Sequence, residues 1–511
     1  MAATCPGVPA GLRIPSRTAA SRQSGRLIII GIPPAHGRHP ALCYGHEGGI
    51  AMSKQELVFD ADLIRRYDQP GPRYTSYPTA PHFHSGFDEA ALIREMTASN
   101  ASARPLSLYF HLPFCEHLCF YCACTKIVTR HHEWGTPYVD RLDREMALAR
   151  RHIDGERPVT QLHFGGGTPT FLRQADMTAL LEHIRHHFHL LPADQGEYGI
   201  EIDPRALEPG TLALLRDFGF NRISLGVQDL DPEVQKAVHR EQGEKPTFAV
   251  LDEARSLGYR STSLDLIYGL PLQTEDSFAH TLERVLRWRP DRLSIFNYAH
   301  LPNRFQPQQR IRDADLPSPD AKLRILANSI DQLQAAGYVY IGMDHFALPD
   351  DELAIAQRDG TLYRNFQGYS THAGADLLAF GMSAIAMVGP SYSQNLKELD
   401  AWGAAVDSGH LPVERGLRLS DEDLLRRHII TRLICDFALD FDRIAAQFGI
   451  DFPQHFAPIL PRLQQMAGDG LLQMDARGLT VTPQGRLLIR HVCMAFDAYL
   501  DAKPVQYSRV I

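Results

Sequence analysis

The chain has 511 residues, enough for one large domain with smaller attachments. Its 52 basic and 60 acidic residues leave a formal net charge of −8, which gives no general electrostatic reason to expect a nucleic-acid partner. No apolar run approaches the ~20 residues that span a bilayer; the stretch from Leu27 to Ile32 is soon interrupted by Pro33 and Pro34.

Residues 1–51 are rich in Gly, Pro, Ala, Ser and Arg and carry one acidic residue, Glu47. That composition points to a disordered extension or an artefactual upstream start, with an organelle-targeting leader as the competing reading. Met52 opens a more ordered segment in which Asp60 is placed to cap a short helix carrying Leu63, Ile64 and Tyr67.

From Leu106 onward, β-rich runs alternate with segments of helical period. The runs are 106–111, 159–164, 198–202, 222–225, 263–267 and 293–297, and the intervening helices are expected over 138–152, 174–188, 211–218, 232–238, 247–257 and 277–288. Six such units predict a parallel sheet curling into a full or partial barrel. Polar residues recur where the strands end: Cys115 after the first, Gly165 to Thr168 after the second, Glu201, Gln228, Asp265 and Asn297 at the others. In a barrel these positions converge on one rim. Beyond Asp320, a helix is expected over 323–336, a strand over 338–343, an ordered loop in the Gly-, Tyr- and Thr-rich stretch before Asp376, and helices over 423–437 and 483–499. Leu471 to Met474 reads as one arm of a hairpin.

Of the eight cysteines, Cys115, Cys119, Cys122 and Cys124 fall within ten residues, while Cys5, Cys43, Cys435 and Cys493 lie near the termini. This crowding favours reduced thiols gathered for metal chemistry in a cytoplasmic compartment over a disulfide scaffold. Thiolates at spacings of four and three residues wrap one loop around an iron–sulfur cubane, and three of them leave one iron open. A four-cysteine zinc knot that includes Cys124, or a closed cluster, is the alternative; the two-residue step from Cys122 to Cys124 and the lack of a remote cysteine pair weigh against zinc. His111 reads as a packing residue and His117 as a loop histidine. Gly165-Gly166-Gly167-Thr168 permits close backbone approach and offers amides to an anionic ligand, yet it has neither a P-loop ending nor a dinucleotide fingerprint.

With these motifs the chain resembles the radical S-adenosylmethionine superfamily and, within it, the family of oxygen-independent coproporphyrinogen III oxidases. The resemblance covers nearly everything from Met52 to Ile511. It rests on the cysteine loop together with Gly71-Pro-Arg-Tyr-Thr-Ser-Tyr-Pro-Thr79, Gly226-Val-Gln-Asp229, Asp265-Leu-Ile-Tyr-Gly-Leu-Pro271, Phe296-Asn-Tyr-Ala-His-Leu-Pro302, Gly342-Met-Asp-His-Phe346 and Asn365-Phe-Gln-Gly-Tyr369. It implies an α/β fold, an incomplete (β/α)6 barrel with an N-terminal segment and a smaller, mostly helical C-terminal domain. The implied boundaries are 1–51 for the extension, 52–104 for a substrate-site segment, 105–320 for the barrel, 321–418 for its extension and 419–511 for the C-terminal domain.

The same resemblance implies that Cys115, Cys119 and Cys122 ligate a [4Fe–4S] cluster. Tyr109, Tyr121, Gly166, Gly167, Thr168, Glu201, Gln228, Arg240, Asp265, Ala299 and Ile385 would contact S-adenosylmethionine, of which two are consumed per substrate. The implied substrate is coproporphyrinogen III, two of whose propionates become vinyl groups, and Cys124 would serve turnover and not ligation. A low-potential donor such as flavodoxin or ferredoxin is implied, with a cytoplasmic monomer and neither nucleic acid nor membrane as partner. A haem chaperone sharing the barrel is the alternative; such proteins typically lack Cys124 and the Gly71 to Thr79 signature, and this chain has both. An apolar macrocycle with four carboxylates needs aromatic walls and a few cations. Arg73, Arg310 and Arg312 are the candidates for that role.

Overall fold

Six strands run parallel and in sequence order, Leu106–Leu112, Val159–Gly166, Glu197–Ile202, Arg222–Gln228, Ser261–Tyr268 and Arg292–Asn297, in the computed structural model, which describes residues 57–500. The reading of residues 1–51 lies outside those described. The first strand shows why the sheet forms as it does. Leu106, Leu108, Phe110 and Leu112 are all buried and pack with Leu142, Met146, Leu180 and Ile184 of the covering helices. The alternate residues Ser107, Tyr109 and His111 belong to the opposite face, where Ser107 donates to Gln161 at 2.9 Å and Gln161 to Glu197 at 2.9 Å. Each strand therefore gives an apolar face to the helices and a polar face to the concave interior.

The helices between the strands fall where the period places them, at Gly135–Arg150, Gln174–His187, Thr211–Asp217, Pro232–Ala237, Glu244–Ser256 and Glu275–Arg287. The sheet does not stop at six strands. Beyond the sixth it adds the antiparallel strands His345–Ala347 and Val339–Gly342. Beside the first it adds Asp376–Phe380 in parallel, followed by Ile385–Val388, Ser391–Asn395 and Val413–Arg418 in antiparallel fashion. Among the described residues the two ends of this twelve-stranded order do not pair, so the barrel is incomplete.

A buried ion pair fixes the added edge. Asp376, 2% exposed at its side chain, accepts from Arg157 at 2.5 Å and from the Gly389 N–H at 2.9 Å. The stretch before Asp376, expected as a loop, contains the short hairpin Tyr363–Asn365 with Gly368–Ser370. The C-terminal helix expected over 483–499 is reduced to a 3-10 turn at Arg486–Leu488 and an α-helix at Ile489–Ala495, because Arg486, Arg490 and His491 are buried there and no amphipathic stripe continues. Leu472–Met474 is one arm of a hairpin with Gly478–Val481, which also pairs with Ala438–Asp440.

The N-terminal segment is tied to the C-terminal region. Asp60 caps the helix Ala61–Tyr67 by accepting from the Leu63 N–H at 2.9 Å. Tyr74 donates to Asp497 at 2.9 Å, Arg490 donates to the Pro72 carbonyl at 2.9 Å, and Tyr392 donates to the Tyr77 carbonyl at 3.1 Å. Tyr74 and Tyr77 are accordingly buried. Among the described residues no helix is long and apolar enough to cross a membrane.

Candidate active site

The cysteine loop leaves the first strand at Phe114–Cys115, which pairs in parallel with Ile127–Val128 and closes the loop through Ile127 N–H to Pro113 O at 2.8 Å and Thr129 N–H to Cys115 O at 2.9 Å. Farther along, Phe120 N–H bonds Val238 O at 2.9 Å, and the His239 ring lies 2.7 Å from Leu118 O. Cys115 and Cys119 are buried, Cys122 is half-buried and Cys124 exposed; the six described cysteines are all free thiols. Burial pushes the Cys115 thiol up to about 11, against the Thr168 hydroxyl that donates to its sulfur at 3.5 Å. Cys124 donates to Cys122, lowering Cys122 and raising Cys124.

Cations converge on Cys119. Arg205 lies 3.5 Å from its sulfur and Arg240 3.6 Å, and both pair with Asp203, at 2.7 and 3.2 Å. Arg240 also donates to the Gly226 carbonyl, and its buried Nε has no protein partner. Sequence reasoning placed Arg240 at the site but missed Asp203 and Arg205. Three soft donors on one loop, two of them buried, beside fixed guanidinium groups suit an anionic iron–sulfur cubane and its thiolates.

Two carboxylates, Glu201 and Asp265, stand on the third and fifth strands of the same sheet. Burial opposes ionisation of Glu201, yet the His163 ring at 3.5 Å and the Gly166 N–H at 3.3 Å hold it below the ordinary carboxylate range. Asp265 is pushed up to about 6 by burial, despite hydrogen bonds from Ser294 and Ser224, and the negative charge of Glu201 adds to the rise. An ionised Glu201 beside a buried Asp265 of raised proton affinity is a natural seat for a cation or a hydroxyl donor.

The glycine run works differently from the expectation. Gly166 N–H goes to Glu201, Gly167 N–H to Leu112 O at 2.8 Å and Thr168 N–H to Phe114 O at 2.8 Å, so these amides are already engaged within the protein. What the glycines supply is closeness: a Cβ on Gly166, at φ +114°, would lie 2.7 Å from the His111 ring, and one on Gly167 would lie 2.5 Å from Pro113 O. His111 itself bridges Tyr109 Oη at 3.1 Å and Thr125 O at 3.0 Å, a packing role that locks the first strand to the loop.

The remaining predicted residues gather unevenly. Gln228 holds a positive φ of 68° at the end of its strand. Tyr121 lies against Cys119 and Arg240, and its carbonyl and that of Ala299 both accept from the buried Gln308, at 3.0 and 3.2 Å. Gln308 thus ties the cysteine loop to the end of the sixth strand, and nothing in its sequence context announces it. Ile385 packs in one apolar cluster with Tyr109, Tyr363 and Phe366. Arg73 pairs with Asp344 at 3.6 Å. Arg310 is exposed with its guanidinium 5.0 Å from the Phe120 ring centre, and Arg312, 78% exposed at its side chain, is bound by Asp315 at 2.7 Å. Gln367, with both amide heteroatoms buried and unpartnered, is a further polar group that the sequence did not single out.

Residues 109–285 match the Radical SAM superfamily and residues 419–488 the HemN C-terminal domain. The chain is similar to the oxygen-independent coproporphyrinogen III oxidase of Pseudomonas aeruginosa, at 54% identity over 89% of this chain and 99% of that protein. The protein of that name from Escherichia coli is 50% identical over 90% of this chain and 100% of its own length. Among solved structures, coproporphyrinogen III oxidase (HemN) from Escherichia coli, described as a radical SAM enzyme, superposes with a TM-score of 0.83 at 49% identity, covering 87% of this chain and 100% of that one.

Proposed function

The chain belongs to the family of oxygen-independent coproporphyrinogen III oxidases, and from that membership we propose that Cys115, Cys119 and Cys122 hold its [4Fe–4S] cluster while Glu201, Gln228, Arg240 and Asp265 help seat S-adenosylmethionine. The reaction is the anaerobic oxidative decarboxylation of two propionates of coproporphyrinogen III to vinyl groups, giving protoporphyrinogen IX. When bound, the cluster and S-adenosylmethionine supply a 5′-deoxyadenosyl radical that takes a hydrogen atom from a propionate, one cofactor molecule being consumed per side chain. Loss of CO₂ and transfer of one further electron to an acceptor outside the chain would complete each vinyl group. The observation that carries the site assignment is the placing of three cysteines on one loop, with Arg205 and Arg240 at the Cys119 sulfur and Glu201 held by the Gly166 N–H of the next strand end.

The chain's own residues have distinct tasks in this reading. Arg240 and Arg205 offset thiolate charge, Thr168 orients Cys115, and Gln308 fixes the loop relative to the barrel end. Glu201 and Asp265 meet the cationic or hydroxyl groups of the cofactor, with Gly166, Gly167 and Thr168 giving close approach and Tyr109, Tyr121, Ala299 and Ile385 giving ring, carbonyl and apolar contact. Cys124, hydrogen-bonded to Cys122, positions the loop for turnover without ligating iron. Arg73 faces the substrate's carboxylates, a weaker assignment falling to Arg310 and Arg312 on the loops after the sixth strand. The proposal extends to a cytoplasmic monomer that draws its electron from a flavodoxin or ferredoxin and engages neither nucleic acid nor membrane. The haem-chaperone reading is not favoured by relatives that carry the oxidase name over their whole length.

Anaerobic incubation of reconstituted protein with coproporphyrinogen III, S-adenosylmethionine and a reductant is expected to give two successive decarboxylations by mass spectrometry. Cofactor cleavage with an untouched porphyrinogen would refute the reading. A pH effect follows from Asp265. Its ionised form meets the cofactor, and burial raises its protonation to near 6, so affinity is retained above that pH and lost as pH falls through it. Calorimetric titration is expected to show roughly fourfold weaker S-adenosylmethionine binding at pH 5.5 than at 7.5, the ratio set by the protonated fraction. Asp265→Asn should flatten that profile; a profile already flat in the unaltered protein removes Asp265 from the contact.

A further inference from the structure

The N-terminal segment, the Tyr363–Asn365 hairpin and the helix Asp421–Asp436 enclose a cavity of about 20 Å³, lined among others by Tyr77, Phe366, Met387, Tyr392 and Arg364. That volume admits one water-sized group, such as a single carboxylate oxygen.

Arg364 is unusual among the arginines of this region. Its Nε and Nη1 are buried and have no hydrogen-bond partner, and among the described residues no carboxylate lies within ion-pair distance of it. Its guanidinium sits 5.0 Å from the Tyr369 ring centre, a contact that fixes the plane of the cation without satisfying its N–H groups. The neighbouring arginines are differently engaged. Arg73 pairs with Asp344, Arg490 donates to Pro72 O, and Arg427 donates to Tyr392 Oη at 3.4 Å. Buried donors on a charged group are costly to leave unmade, so the arrangement calls for an anion from outside the chain.

The surroundings specify what kind of anion. Tyr363, Phe366, Met387 and Tyr392 form one apolar cluster that continues through Ile385 to Tyr109, and Tyr109 is bonded to His111 beside the cysteine loop. This packed apolar cluster thus links Tyr109, beside the cysteine loop, to the cavity that Arg364 lines. A molecule lying along it needs an apolar body with a carboxylate at its rim.

On the reading of the substrate given above, we propose that Arg364 is a positioning residue that holds one propionate carboxylate of coproporphyrinogen III, and that the propionate it holds is not the one reacting. The second part follows from charge. A guanidinium stabilises a carboxylate more than it stabilises neutral CO₂, so an arginine clamped on the reacting group would oppose its departure. Clamped on a spectator propionate, the same ion pair fixes the macrocycle while another side chain reaches the barrel mouth.

Arg364→Met and Arg364→Lys, compared with the unaltered enzyme at matched iron content under anaerobic conditions, test this. KM for coproporphyrinogen III is expected to rise about 10- to 100-fold in Arg364→Met, as for loss of one charged hydrogen-bonded contact, with a much smaller fall in kcat and partial recovery in Arg364→Lys. Binding of coproporphyrin III without S-adenosylmethionine, followed by porphyrin fluorescence, should weaken by the same factor and lose part of its salt dependence. Calorimetric affinity for S-adenosylmethionine should stay within twofold. Unchanged KM and porphyrin affinity, or a fall in kcat at constant KM, would overturn the anchor. So would equal losses in both variants accompanied by loss of iron, which would make Arg364 a folding residue. If the unaltered protein itself neither binds nor converts coproporphyrinogen III, the substrate reading fails instead.

Discussion

Cys119→Ala is expected to leave the reconstituted protein without an intact [4Fe–4S] cluster and to lower porphyrinogen turnover by more than about 100-fold, the loss of a direct ligand exceeding that of the outer groups which orient one. Cys119 is buried, and the Arg205 and Arg240 guanidinium groups lie 3.5 and 3.6 Å from its sulfur. Alanine removes a buried group that is both a soft ligand and a counter-charge to the two guanidinium groups. Cys124, the nearest spare thiol in sequence, is exposed and bonded to Cys122. The fold should survive, because Arg205 and Arg240 keep their pairing with Asp203. Iron and sulfide content, the electron paramagnetic resonance signal of the reduced protein and S-adenosylmethionine cleavage measure the effect. Cys124→Ala, by contrast, is expected to retain its iron and lose turnover. Full iron content with normal cleavage in Cys119→Ala would remove Cys119 from the ligand set.

The barrel was legible in the sequence because its strands carry their two faces openly: Leu-Ser-Leu-Tyr-Phe-His-Leu over residues 106–112 separates a helix-packed face from a polar one. The extra strands were harder, since the hairpin at 363–370 is built from three-residue pieces too short to show a period. The last helix misled for another reason: Arg486, Arg490 and His491 are buried by tertiary partners, which no local pattern encodes. At the site the cysteines, Glu201 and Asp265 stood out through spacing and register. Asp203 and Arg205 did not, because Asp-Pro-Arg after a strand reads as an ordinary turn, and its link to Cys119 exists only once the first and third strands flank the second. The glycine run was located correctly, but its use depends on which amides the neighbouring strand already occupies, and pairing of that kind is invisible before folding.

Arg240→Met is expected to cost about 3 kcal/mol of stability and to shift the cluster's reduction potential to more negative values. The stability term comes from Asp203. Although burial pushes its carboxyl up, Arg240 and then Arg205 pull it down to about 2, so it is a buried carboxylate held ionised by two cations. Removing one cation reduces the triad to a single Asp203–Arg205 pair, which places the loss at the lower end of the range for a broken buried pair because Arg205 remains at 2.7 Å. Asp203→Asn added to Arg240→Met takes away the anion of the remaining pair and leaves Arg205 without a carboxylate, so a further loss of stability is expected, and the cycle separates the ion pairs from mere side-chain volume. The redox term comes from Cys119, whose sulfur loses a cationic neighbour at 3.6 Å and with it part of the stabilisation of the more negative, reduced state. Chemical unfolding of the two variants and a potentiometric titration of the reconstituted protein measure both terms. A single variant as stable as the unaltered chain would mean that Asp203 simply protonates or turns to Arg205; an unmoved potential would mean that the Arg240 guanidinium does not act on the cluster through Cys119.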